Sequence, residues 1–256
     1  MNHLHGKRIL ITRPESEHDT LRERLAAEGA APVAFPTTTL QVDTEQLALL
    51  EKSLRKLSTY DWVIFTSQNA VRLFWQQFQR QNAPGDFPGG LRIAAVGPAT
   101  ALALQQRGLQ PEVVPDVYSG EEIASKMGDV RGKSILVPRA HGARPILVEE
   151  LARKGAHIDE MRLYRSVTNR AELLNWAELD KGVDYVIFTS PSTVRSFFEL
   201  LGERAAAMLS TAVIACIGPV TAGALAAFGF EAHLVAREYT GEGLVKAILA
   251  HQAERE

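Results

Sequence analysis

The chain is written twice, and this repeat constrains its fold more than any other feature. GKRILITRP at 6–14 returns as GKSILVPRA at 132–140, and LRERLAAEGA at 21–30 returns as LVEELARKGA at 147–156. YDWVIFTSQNAVRLFW at 60–75 returns as VDYVIFTSPSTVRSFF at 183–198, with nine of sixteen positions identical. The stretch from Ile93 to Met127 returns from Ile214 to Ile248 with thirteen of thirty-five identical. The spacing between mates shrinks from 126 to 121 residues, so the second copy has the shorter loops. Two copies of about 125 residues are each large enough to be a domain.

Within a copy, short apolar runs rich in β-branched residues alternate with helical patterns. RILIT (8–12), APVAF (31–35), WVIFT (62–66), RIAAV (92–96) and PEVVP (111–115) read as strands, and IDEMRLY (158–164) as another. Helices are expected over 16–29, 43–58, 68–80, 98–107 and 119–127. In the first of these, Leu21 and Leu25 stand four apart and Gly29 stands where a helix stops. The alternation predicts an α/β chain of two similar domains, each a parallel sheet flanked by helices in a flavodoxin-like arrangement. Ligands of such sheets bind beyond the carboxyl ends of the strands, so function is sought there.

Composition removes several classes of partner. With 28 Lys+Arg against 30 Asp+Glu, the net charge of -2 offers no positive field for nucleic acid. One Cys cannot form an internal disulfide, and MNHLHGKRILITRPE does not read as a signal peptide. The longest apolar runs, VIACI and WVIF, fall far short of the ~20 residues that span a bilayer. A cytoplasmic monomer with no nucleic-acid or membrane partner is expected. No GxGxxG follows the first strand, and there is no HExxH, Cys pair or GxSxG, so neither a dinucleotide nor zinc is expected. GDVRGKS (128–134) is one residue short of a phosphate loop, precedes a strand and reads as a turn. Cys216 stands where the first copy has Ala95 and reads as core filler.

The strand ends carry small polar residues and arginines. They are Thr12-Arg13-Pro14 with Pro138-Arg139-Ala140-His141, Thr66-Ser67-Gln68-Asn69 with Thr189-Ser190-Pro191-Ser192, Gly97-Pro98-Ala99-Thr100 with Gly218-Pro219-Val220-Thr221, and Tyr118-Ser119-Gly120-Glu121 with Tyr239-Thr240-Gly241-Glu242. Ser and Thr there are either ordinary helix caps or, with the backbone N–H groups beside them, anion donors. Arg13, Arg139, Arg144 and Arg165 are placed to pair with carboxylates. Arg72 and Arg195, mates on helices, read as surface or structural. The pattern suits a site that holds a multiply anionic small molecule through many hydrogen bonds, without an activated nucleophile. A non-catalytic two-domain binder of an anionic small molecule fits the same pattern.

The ITRP start, the two FTS segments, the two GPxT segments and the two Y-[ST]-G-E segments, in this order and spacing, resemble the uroporphyrinogen-III synthase family over essentially the whole chain. The resemblance implies a cyclising lyase of haem and tetrapyrrole biosynthesis with no metal or organic cofactor. It implies hydroxymethylbilane as substrate, made and handed over by hydroxymethylbilane synthase, and uroporphyrinogen III plus water as products. It implies a discontinuous first domain, 1–36 with 170–256, a second domain, 42–164, and linker strands at 37–41 and 165–169, with the substrate in the cleft between the domains. Residue by residue, it places the family's threonines on Thr100 and Thr221, its serine on Ser190 with Ser67 as repeat mate, and its cleft tyrosine on Tyr164. On this reading Tyr164 is the general acid, and the hydroxyls bind carboxylates together with Arg13 and Arg139. Arg13 is equally suited to anchoring the linker. His141 is a candidate second acid, although its mate in the first copy is Glu15.

Overall fold

A computed structural model describes residues 3–14, 20–82, 86–115 and 120–255. In chain order the first repeat runs β1 (Arg8–Ile11), α1 (Thr20–Ala27), β2 (Ala31–Ala34), β3 (Thr38–Val42), α2 (Thr44–Leu54), β4 (Trp62–Phe65), α3 (Gln68–Gln81), β5 (Arg92–Ala95), α4 (Pro98–Gln105) and α5 (Gly120–Lys126). The second runs β6 (Ser134–Ala140), α6 (Ile146–Arg153), β7 (His157–Thr168), α7 (Trp176–Asp180), β8 (Tyr185–Phe188), α8 (Pro191–Leu201), α9 (Glu203–Leu209), β9 (Val213–Cys216), α10 (Pro219–Ala226), β10 (Leu234–Val235) and α11 (Gly241–Ala253). None of the described helices is long and apolar enough to cross a membrane.

The strands form two sheets, β10-β9-β8-β1-β2 and β3-β7-β6-β4-β5. Each sheet takes its first two repeat strands from one copy and the rest from the other. The register is the same in both. Arg8 pairs with Ala31 in one sheet and its mate Ser134 pairs with His157 in the other. Ile9 pairs with Tyr185, and the mates Ile135 and Trp62 pair likewise. All of these ladders are parallel; the first sheet has the 2-1-3-4-5 order of doubly wound flavodoxin-like sheets, and the second has 2-1-3-4 with β3 added beside β7. The chain divides into two compact units, 1–40 with 166–256 and 41–165. Between β3 and β7, the Asp43 N–H donates to Leu163 C=O and the Asn169 N–H donates to Thr37 C=O. Numbers rise along one strand as they fall along the other, so this pair is antiparallel and the second sheet is mixed.

Helix starts follow the polar caps. Ser67 accepts from the Ala70 N–H at 3.1 Å to begin α3, which then buries Val71, Phe74 and Phe78 at helical spacing. Ser190 and Thr193 form a capping box at α8, with Pro191 in the first turn. Each helix sets a phenylalanine edge-on to its strand. Phe65 and Phe74 lie 5.1 Å apart, and their mates Phe188 and Phe197 lie 5.2 Å apart. All four are buried.

Several expected elements differ in extent. PEVVP is not a strand: only Val113 bridges Ala94. Pro111 and Pro115 bracket the run and remove ladder donors, whereas their mates are Ala232 and Ala236 and there β10 forms on β9. The helix expected over 43–58 ends at Leu54 and resumes as a 3-10 turn at Leu57–Thr59. IDEMRLY extends into the twelve-residue β7. Glu15, Tyr118 and Ser119 lie outside the described residues.

Candidate functional site

In a 2-1-3-4-5 sheet the crevice opens where strand order reverses, between the first and third strands of the order of appearance. In the unit 41–165 that place lies between the carboxyl ends of β6 and β4. There Ser67, directly after β4, meets Tyr164 of β7, with Oγ and Oη 2.6 Å apart. Tyr164 pairs with Ala140, the last residue of β6, after a register shift. Its ring is buried, 6% exposed, and burial pushes the phenol above its ordinary value. The side chains of Ser67 and Asn69 and the charge of Arg72 oppose that rise. The phenol is therefore protonated at neutral pH and is equipped to give a proton, not to take one.

Asn69 belongs to the strand-end set but carries no expected role there, and Arg72 reads from the sequence as surface or structural. Both lie on the first turns of α3 beyond Ser67, so the signal was the i, i+2 and i+5 spacing from a cap at a strand end. His141, just after β6, brings Nε2 to 3.0 Å from Oδ2 of Asp43. The other oxygen of Asp43 caps α2 through the Gln46 N–H, and these contacts hold its carboxyl below the usual range, the backbone bond contributing most. Arg165 donates through Nε to the Gln41 side chain at 2.7 Å. Arg139 is 2% exposed. It spends its donors on the carbonyls of Ala143 and Arg144 and lies 3.1 Å from Glu160. Arg144 is exposed.

In the other unit the equivalent place lies between β1 and β8. Ser190 is 2.9 Å from Ser192 Oγ and accepts from the Thr193 N–H. Arg13 is half-buried directly after Thr12, and Arg195 is exposed. Thr100 and Thr221 are 4% and 3% exposed, each in the third helical position of α4 or α10. The cap of each helix is a glycine with extended backbone and no side-chain acceptor, followed by proline. Ala99 and Val220, the second helical residues, are exposed. Pro98 and Pro219 carry no N–H and the Thr221 N–H donates to Gly218 C=O at 3.1 Å, so it is the Ala99 and Val220 N–H groups that these starts offer to an anion. Tyr239 covers the Gly218 cap so closely that a Cβ there would lie 3.1 Å from its ring.

Cys216 is fully buried and its thiol is pushed up to about 12, so it is no nucleophile at neutral pH. Among the described residues no group of His, Cys, Asp and Glu is arranged to hold a metal.

Residues 19–246 match the family model described as uroporphyrinogen-III synthase HemD. The chain is 31% identical over 256 residues to the uroporphyrinogen-III synthase of Synechococcus elongatus, covering 95% of this chain and 94% of that protein. Its fold is similar to that of a mutant uroporphyrinogen III synthase from Thermus thermophilus, with a TM-score of 0.61 at 19% identity over 98% of this chain and 100% of that one. The Helicobacter pylori uroporphyrinogen-III synthetase superposes with a TM-score of 0.60 at 16% identity, covering 96% of this chain and 99% of that one.

Proposed function

The chain belongs to the uroporphyrinogen-III synthase family, cyclising lyases of porphyrin biosynthesis, and from this we propose that it closes hydroxymethylbilane to uroporphyrinogen III with inversion of ring D and loss of water. The observation that carries the reading is the Tyr164–Ser67 pair: a buried, neutral phenol held at a strand-end crevice that is otherwise built of hydroxyls and backbone donors.

In the proposed sequence the pyrrole nitrogen of ring A pushes out the hydroxyl of its hydroxymethyl group, and the C–O bond breaks. The Tyr164 proton goes to the departing oxygen, so water leaves and an azafulvene cation remains. Ring D attacks through its substituted carbon to form a spiro intermediate, which fragments and recloses with ring D inverted. The proton lost on rearomatisation returns to the tyrosinate, and the balance is one water released. Closure through the unsubstituted carbon would give the other isomer, so the protein's main work is conformational. Orientation of reacting groups can supply ~7–11 kcal/mol of the barrier.

The substrate's eight carboxylates need donors that a net charge of -2 does not provide at long range. We assign that role to the α4 and α10 starts with Thr100 and Thr221, to Ser190 and Ser67, and to Arg13. Arg139 contributes from beneath by holding the turn at 140–144. In this reading the substrate is handed over by hydroxymethylbilane synthase to a monomer in the cytoplasm. The test supplies porphobilinogen and its deaminase, oxidises the products and resolves the isomers. Isomer III is expected with this protein present, and isomer I alone would overturn the reading.

A further inference from the structure

Tyr164 is gripped at more than its hydroxyl. Successive carbonyls of a strand point to opposite neighbours, and at β7 both are taken by residues that stand just beyond a neighbouring strand. The Leu163 carbonyl accepts from the Asp43 N–H at 2.9 Å on the β3 side. The Tyr164 carbonyl accepts from the His141 N–H at 2.8 Å on the β6 side. The side chains of these same two donors then meet, Nε2 to Oδ2 at 3.0 Å. The Gln46 N–H that caps onto Asp43 lies beside a Gln46 side chain that accepts from the Arg162 N–H at 3.1 Å. The chain leaves the unit directly afterwards, at Arg165.

We propose that the His141–Asp43 pair is a positioning device for Tyr164, a bracket across β7 that fixes the phenol against Ser67. This assigns His141 a role distinct from that of a second acid, and it rests on the reading of Tyr164 as proton donor. The charge that acts on the phenol is that of Arg72 from α3. Without the bracket the two backbone bonds loosen, the ring shifts from Ser67, and water reaches the phenol.

The test compares H141A with H141Q, whose amide nitrogen can still donate to Asp43. Turnover to isomer III is measured together with the Tyr164 titration, followed by NMR of ring-labelled tyrosine and assigned with Y164F. H141A is expected to lose roughly tenfold to 100-fold in kcat, the scale of a ~1 Å misplacement, with KM little changed. Its Tyr164 titration moves down towards the ordinary phenol value, and H141Q restores both. Wild-type kcat and titration in H141A would overturn the proposal, as would a loss that H141Q does not restore. If Y164F itself turned over at the wild-type rate, the role of Tyr164 would fail, while the titration would still decide whether the bracket holds the ring.

Discussion

The carboxyl ends of the two sheets are repeat mates, yet they use their polar groups differently. In the unit built on β1 and β8, three buried threonines knot the crevice to the backbone. Thr12 donates to Ile187 C=O at 2.7 Å, Thr37 to the carbonyls of Thr12 and Thr193 at 3.1 Å, and Thr193 to Ser190 C=O at 2.8 Å. Their mates in the other unit are Pro138, Leu163 and Ala70, which carry no hydroxyl. There the mate of Thr38 is Tyr164, and the hydroxyl that matters is on a titratable group held by Ser67. One crevice is tied to itself; the other holds a proton in reserve. On the proposed reading, one unit supplies the proton donor as well as binding groups, while its duplicate supplies binding groups alone.

The largest effect expected from this contrast is on turnover. Tyr164→Phe should lower kcat by about 10²–10⁴-fold, the usual worth of a positioned general acid, with the unfolding midpoint little changed. Thr38→Val, the mate substitution, should leave kcat near the wild-type value, and comparable losses in both would erase the contrast. The pH profile carries a sign as well. Burial raises the phenol in the folded state, so its stabilising effect is complete below the ordinary value of about 10 and fades as pH rises through the folded value. Wild-type kcat should therefore hold through neutral pH and fall only in alkali, and Y164F should lack that limb.

Next come the helix starts, where the two units are alike. Thr100→Ala and Thr221→Ala should each lower kcat/KM by about tenfold, the cost of weakening one hydrogen bond to a charged group, in steady-state assays. A large effect in one alone would show that only one unit carries the carboxylates. Thr37→Val removes a donor shared by two buried carbonyls and should cost ~1–3 kcal/mol in urea unfolding without touching kcat. Ser67→Ala and Ser190→Ala should each lose ~1 kcal/mol of stability as helix caps. Only Ser67→Ala should also shift the Tyr164 titration. The smallest effect belongs to Cys216, where the first copy has Ala95. Thiol reagents should label it only as fast as the protein unfolds, since its thiol is buried and pushed up to about 12.

Much of this was legible in the residues. The repeat, the βα alternation and the polar strand ends follow from local periodicity, because each apolar run is long enough to reveal which backbone it favours. The exchange of leading strands is not a local property. β1 beside β8 satisfies the same pattern as β1 beside β4, so only the known architecture of a similar family pointed to it. For the same reason Asp43 escaped notice as a neighbour of His141, since β7 stands between them and nothing in either segment encodes the other. At 111–115 two local signals oppose each other: Val113 and Val114 favour a strand, while Pro111 and Pro115 remove the ladder donors on either side. Arg139 stood at a strand end as a carboxylate partner would, and its commitment to the carbonyls of Ala143 and Arg144 depends on a turn whose shape no spacing specifies.

The exchanged strands also set a schedule for synthesis. A chain emerging from its amino end has every strand of the unit 41–165 by the time β7 is made, and those strands can pair at once. β1 and β2 are made before that unit, yet β1 has its second neighbour only when Tyr185–Phe188 arrives. Until then one long edge of that young ribbon is without its ladder, through the time in which the other unit is made and paired. β1 and β2 are therefore locked only after the whole of the other unit has been made, and they are where a chaperone or a stray strand has a long opportunity to act.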